Sequence, residues 1–152
     1  MIQELRSLML RDLASLRQEV EAYPDEASLW RVLPGTTNPG GNLVLHLAGN
    51  LRFFLGAQLG GIAYTRDRDR EFSARGLSRK ALLAELDGAV QAVEAALGAL
   101  DADILDREFP VLMGGRRLSV HQMLITLVSH LGYHLGQVNY HRRAVAAGQP
   151  AE

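Results

Sequence analysis

Cysteine is absent from the 152 residues, which removes disulfide frameworks, thiolate metal sites and a cysteine nucleophile together. Any metal site in this chain must therefore use nitrogen and oxygen donors. Lysine is nearly missing too, Lys80 being the single example among 16 basic residues. An arginine-based complement suits carboxylate or phosphate binding, but it arises equally from genome composition and decides nothing alone. Neither sign of charge predominates. A formal net charge of −1 and a pI of about 6.5 give no broad basic field for nucleic acid and no acidic tail, so any partner must be held by a local site. Long apolar runs are also lacking: none reaches the roughly 18 residues of a membrane span. The opening MIQELRSLMLRDLASLRQEV carries charge every few residues, unlike the apolar centre of a signal peptide. The expectation is a cytoplasmic protein with neither a membrane nor a nucleic-acid partner.

What is present is helical periodicity. A chain of this length buries roughly two-thirds of the surface its unfolded form exposes, enough for one self-sufficient core, so a single domain over 1–152 is expected. Four segments show apolar spacing near 3.6 residues. The first runs from about Ile2 to Tyr23, with Leu5, Met9, Leu13, Leu16 and Val20 on its stripe and Pro24 ending it. A short helical turn around DEASLWRVL follows, with Asp25 as its cap and Trp30 as a lid on the core, before PGTTNPGGN breaks the chain. The second helix begins near Pro39 with Asn38 as cap and continues to Gly60-Gly61, reading as buried on most sides. The third starts at the cap Ser78 and carries Leu82, Leu86, Val90, Val93 and Leu97. The fourth opens on Ser119 and Gln122 at capping-box spacing and extends to about Ala147, before Gly148 and Pro150. Part of REFPVLMGGRRLS has the pattern of a small β-hairpin turning at Met113-Gly114-Gly115. The predicted fold is all-α, a four-helix bundle whose long connections (24 to 38, 61 to 77, 101 to 118) cross over or cover one end.

The chemistry concentrates in three histidines. His130 and His134 are related by i, i+4 and project from one face of the fourth helix, a spacing that suits two ligands of one metal ion. A bundle site needs a contribution from a facing helix, and the second helix has a single histidine, His46, flanked by Leu43, Val44, Leu45 and Leu47. Taken alone, His46 reads as a satisfied core histidine and the HxxxH pair as a chance spacing. Together, three imidazoles in the two most apolar helices call for a shared metal, because an unsatisfied buried imidazole is costly. His121 should face away. His141 lies on the same stripe but about 10 Å along, too far to ligate; it either lines the mouth of a pocket or sits at a solvated helix end.

Nearby polar residues carry two readings each. Asn42 and Asn50 flank His46 at four-residue spacing and Gln137 stands three after His134, so they either orient ligands and bind substrate or face solvent at the bundle end. In RDRDREF, residues 66–72, the alternating charges form a solvated loop, or Asp67 or Asp69 folds over to meet the histidines as acceptor or general base. Gly132 and Gly136 lie opposite the histidine face and would let another helix approach closely, within the bundle or from a second subunit.

NLVLHLAGNLRFF and HLGYHLGQVNYHRR, with the RDRDREF linker, resemble the DinB-like (DinB/YfiT-like) family over nearly the whole chain. The HxxxHxGQ form of the second motif is the more specific. The resemblance implies a four-helix bundle, commonly a homodimer, that holds a divalent metal such as zinc or nickel on His46, His130 and His134. It also implies activities that range from transferases using a low-molecular-weight thiol to a maleylpyruvate isomerase.

Three neutral imidazoles leave a cation with an open coordination position, the arrangement of catalytic zinc. Leu131, Gly132 and Tyr133 stand between the two histidines, so the glutamate that serves as base in HExxH proteases is missing. A coordinated thiol needs no such base. The favoured reading is a metal-dependent thiol S-transferase acting on a small-molecule electrophile. The alternatives are a metal-dependent hydrolase with Asp67, Asp69 or His141 as base, and a non-catalytic metal-binding stress protein.

Overall fold

The computed structural model describes residues 1–148, and its elements are helical. Helix α1 spans Ile2–Glu21, α2 Gly40–Leu51, α3 Arg68–Ser73, α4 Arg79–Ala99 and α5 Val120–Ala147. A single 3₁₀ turn at Ser28–Trp30 bridges α1 and α2; Asp25 accepts from the Ser28 amide at 2.7 Å, and Trp30 donates its ring N–H to Leu77 O at 3.0 Å, closing over the core. Among the described residues, no helix is long and apolar enough to cross a membrane.

Local chemistry sets most of the helix boundaries. Ser78 caps α4 by accepting from Ala81 N–H. Ser119 accepts from Gln122 N–H while Gln122 returns a bond to the Ser119 amide, a complete capping box that fixes the start of α5. Gly148 is the C-cap of α5, and Pro150 lies outside the described residues.

Four differences from the expected elements stand out. Pro39 is the extended N-cap of α2, not its first helical residue, and Asn38 does not cap it. The second helix does not run α-helically to Gly60, because Arg52–Ala57 widen into a π-helical turn. A π turn inserts an extra residue and shifts the face that follows, but in a segment apolar on most sides the shift leaves no visible break in the pattern. The stretch between 61 and 77 is not structureless: Asp67 accepts from Arg70 N–H at 2.9 Å and starts the short α3. The hairpin is reduced to two isolated antiparallel bridges, Glu108 with Ser119 and Met113 with Arg116, around a turn in which Gly114 and Gly115 take positive φ.

The four long helices form a ring in which α1 packs against α4 and α5, and α2 packs against the same two. Sequential neighbours α1 and α2, and likewise α4 and α5, are not among the extensive pairs, which is why long connections are needed. Every residue of α2 from Gly40 to Leu51 is buried, so α2 is wrapped on all sides by α3, α4, α5 and the Ser28–Trp30 turn. Met9, Leu13, Leu16, Leu47, Leu86, Leu97, Leu124 and Leu127 belong to one hydrophobic cluster linking these helices. Removing apolar area of that kind from water is the main favourable term in folding. At the surface, Arg6 pairs with Glu94 and Arg17 with Asp87 between α1 and α4, and Arg142 pairs with Glu19 between α5 and α1. The more exposed of these, Arg6–Glu94 and Arg17–Asp87, contribute at most about 1 kcal/mol each; Arg142–Glu19 is partly buried.

Candidate metal centre

Helices α2 and α5 run antiparallel across the site: Gly40, at the start of α2, lies against His141, whereas His46 meets His130 and His134 two to three turns earlier in α5. The i, i+4 spacing on α5 brings the rings of His130 and His134 to 4.6 Å between centroids. His46 stands 4.9 Å from the first ring and 5.2 Å from the second, meeting each edge-on. One nitrogen from each of the three residues falls within 4.8 Å of the others. The Nε2 atoms of His46 and His130 are 3.0 Å apart.

The outer nitrogens decide which way the lone pairs point. Glu71 Oε2 accepts from His46 Nδ1 at 2.9 Å, deep in the protein, with both side chains buried. Gln137 Oε1 accepts from His134 Nδ1 at 2.6 Å. With both Nδ1 atoms protonated, the Nε2 atoms carry the free lone pairs. Arg66 Nη2 also lies 3.4 Å from His46 Nδ1, but its hydrogens go to Glu71, on which the guanidinium closes a fork at 2.7 and 2.8 Å. A carboxylate gripped in this way stays ionised: although burial opposes the charge, the bonds from His46 and Arg66 hold the Glu71 pKa below its usual value.

Burial, with the positive potential of His134, His46 and Arg66, lowers the His130 pKa to about 4. His134 is lowered too, chiefly by burial. Neutral imidazoles at physiological pH are the form that ligates metals.

The acceptor anticipated at Asp67 or Asp69 is in fact Glu71. Asp67 is engaged in capping α3, and the exposed Asp69 lies in the first turn of that helix. Capping by Asp67 orients the next turn so that Glu71 points inward, and Gly49, three residues after His46, makes room for it. A Cβ at Gly49 would fall well inside the van der Waals radius of Glu71 Oε1. Asn42 completes the clasp: its amide donates to Glu71 O at 2.9 Å and Ala74 O at 3.0 Å, while Arg75 donates to its Oδ1 at 2.6 Å. Asn42 thus fastens α3 onto α2. Phe72 lies over the His46 ring at 4.8 Å. The interior glycine and the capped RDREFS segment were the available sequence signals for Glu71.

His141 is neither a solvated helix end nor part of the histidine cluster. It is buried, receives the Tyr23 hydroxyl hydrogen on Nδ1 at 2.8 Å and donates from Nε2 to Arg31 O at 2.7 Å. With both nitrogens engaged, it is not free to act as a base at the cluster. His121 stands near the start of α5, away from the cluster. Asn50 is buried, and its Oδ1 and His130 Nδ1 are enclosed side-chain atoms with no hydrogen-bond partner among the described residues. Gly132 and Gly136 are exposed; among the described residues nothing comes within 4 Å of a Cβ placed at Gly136, and at Gly132 only the Asp12 carboxylate of α1 does, at 3.9 Å, so no close backbone approach within the bundle explains them.

The donor set fits a divalent cation. Tetrahedral nitrogen ligands about 2.0–2.1 Å from zinc lie roughly 3.4 Å from one another; the His46 and His130 Nε2 atoms are 3.0 Å apart, and a His134 nitrogen lies within 4.8 Å of both ligands. Without a cation, His130 Nε2 must donate to His46 Nε2, which strands its own Nδ1 as a bare buried acceptor. With a cation between them, both Nε2 lone pairs are used and His130 Nδ1 carries a hydrogen. Asn50 Oδ1, one turn beyond His46 toward the N-terminal half of α5, is an unused acceptor on that side.

Comparison with known proteins gives one assignment: the model of the DinB superfamily matches residues 9–138. No curated protein matches the chain.

Proposed function

For a chain that belongs to the DinB superfamily, we propose that His46, His130 and His134 bind one divalent metal ion, zinc or nickel by ligand type, and that the loaded site is a thiol S-transferase. The observation that carries the metal reading is the pair of pinned Nδ1 atoms, on Glu71 and Gln137, which turn two Nε2 lone pairs toward a third imidazole. Such partners of ligating histidines are the usual means of fixing ring orientation.

A divalent cation held there supplies Lewis acidity, which lowers the pKa of a thiol or water in its open position. The remaining work falls to the side chains. Glu71 and Arg66 hold His46, and Gln137 holds His134. Phe72 covers the His46 ring and limits water on that side. The carboxylate in contact with the cluster, Glu71, has both oxygens committed to Arg66 and His46. A free thiol, with a pKa of about 8.5, would give up its proton to solvent on binding more readily than water, at about 15.7 when free, and so depends less on a base. That difference favours thiol transfer to a small electrophile over hydrolysis.

Zinc- or nickel-loaded protein, incubated with a panel of low-molecular-weight thiols and 1-chloro-2,4-dinitrobenzene, should form the thioether at a rate that His46→Ala abolishes. Conjugation at the same rate after His46→Ala would contradict the assignment.

A further inference from the structure

We propose that the cavity beside the three histidines binds the body of the substrate, and that this body is an uncharged amphiphile, aromatic or alkyl with hydroxyl or amide groups, not a carboxylate or phosphate. The proposal rests on the metal-site reading above and extends it from the reacting end of the substrate to the rest of the molecule.

The cavity, about 490 Å³, opens between the start of α2, the last turns of α5 and the loop at 33–38. Its size is that of an ordinary small-molecule site. Two of its wall residues tie it to the metal centre. Leu43 precedes His46 by three residues on α2, and Gln137 follows His134 by three on α5. On both helices the wall therefore begins about 5 Å, one turn, from a ligand. Gln137 belongs to both places, since it lines the cavity while its Oε1 accepts from His134. A molecule seated in the cavity can thus extend one end to the cluster.

The wall chemistry selects the occupant. Leu33, Leu43 and the Tyr140 ring give apolar surface; Thr37, Asn38 and Gln137 offer hydroxyl and amide groups. Among the described residues, no aspartate, glutamate, lysine or arginine lines the cavity. His141 is the imidazole on its wall, with one nitrogen accepting from Tyr23 and the other donating to Arg31 O, so it presents a neutral ring. A charged group seated against these walls would lose hydration with no opposite charge on the wall to receive it, a heavy cost that a neutral body does not incur; a cation at the cluster acts on the end that reaches it. Tyr140, 76 % exposed at the lip, is a large aromatic side chain left open to stack on an incoming ring or alkyl group.

The test uses three probes of similar size and different charge: benzyl alcohol, benzenesulfonate and benzyltrimethylammonium. They are titrated into full-length ¹⁵N-labelled, zinc-loaded protein and read by amide chemical shifts. Benzyl alcohol should move the signals of Thr37, Gln137 and Ala144 and bind at least about tenfold more tightly than either ion. Ala144→Phe, at an exposed position on the cavity wall, should fill the space and remove those shifts while zinc per chain stays the same. Equal binding of a charged probe, shifts confined to other regions, or benzyl alcohol binding unchanged by Ala144→Phe would each overturn the proposal. Zinc content measured on the same samples separates the two claims. Protein that takes up no zinc overturns the histidine site, whereas zinc uptake without shifts at the cavity overturns this proposal alone.

Discussion

Glu71 is the residue on which the orientation of His46 depends, because its carboxylate fixes the hydrogen on Nδ1 and leaves Nε2 free. Replacing it by glutamine keeps the shape but removes the charge, and Arg66 is then left without its counter-ion in a half-buried position. Loss of such a partner typically weakens metal binding by about 10–100-fold. Glu71→Gln is therefore expected to raise the zinc dissociation constant by that factor in competition titrations with a chromogenic chelator; an unchanged constant would show that Glu71 does not orient the ligand. At this scale the sequence marked the histidines and offered Gln137 beside His134, but it concealed Glu71. Three imidazoles among leucines are conspicuous, since burial without partners is costly. Glu71 sits in a run of charges where Asp67, Asp69 and Glu71 look alike until the cap at Asp67 sets the phase of α3.

Among the elements, α5 carries the most function on its two faces. Its inner face supplies His130, His134 and His141. Its outer face exposes Ile125 (49 %) and Tyr133 (65 %), with Gly132 and Gly136 open beside them. We propose that a second copy of the chain covers this stripe, giving a homodimer in which the glycines permit close backbone approach. Tyr133→Asp should then halve the mass measured by light scattering at micromolar concentration; a wild-type protein that is already monomeric would exclude the interface. The boundaries of α4 and α5 were legible because caps are local, as Ser78 and the Ser119–Gln122 box show. The six-residue α3 was not, because Asn42 from another helix holds it in place. The π turn at Arg52–Ala57 was hidden for a different reason: the helix is buried on all sides before it, so no single apolar stripe exists to be broken.

For the molecule as a whole, the ring of four long helices buries several histidines in neutral form, and stability becomes linked to pH. The His130 pKa is lowered from 6.5 to about 4, and those of His134 and His141 are lowered too, burial being the first cause in each. Between the folded and unfolded values the unfolded chain binds more protons, so stability rises with pH across that window. The metal-free protein should lose stability progressively as pH falls below about 6.5 toward 4, as read from urea midpoints at pH 7.5, 6 and 5. A midpoint constant over that range would mean that the imidazoles are not held neutral. The all-α class was readable from apolar periodicity alone. The ring arrangement was not, because the choice of neighbours depends on contacts between segments far apart in sequence.

The central claim is that one cation touches all three imidazoles, and X-ray absorption at the metal edge tests it most directly. Zinc-loaded protein should show three imidazole nitrogens at about 2.0 Å plus one lighter, exchangeable ligand, with the imidazole count falling to two in His46→Ala. A wild-type spectrum with two or fewer imidazoles, or one that His46→Ala leaves unaltered, would contradict the account.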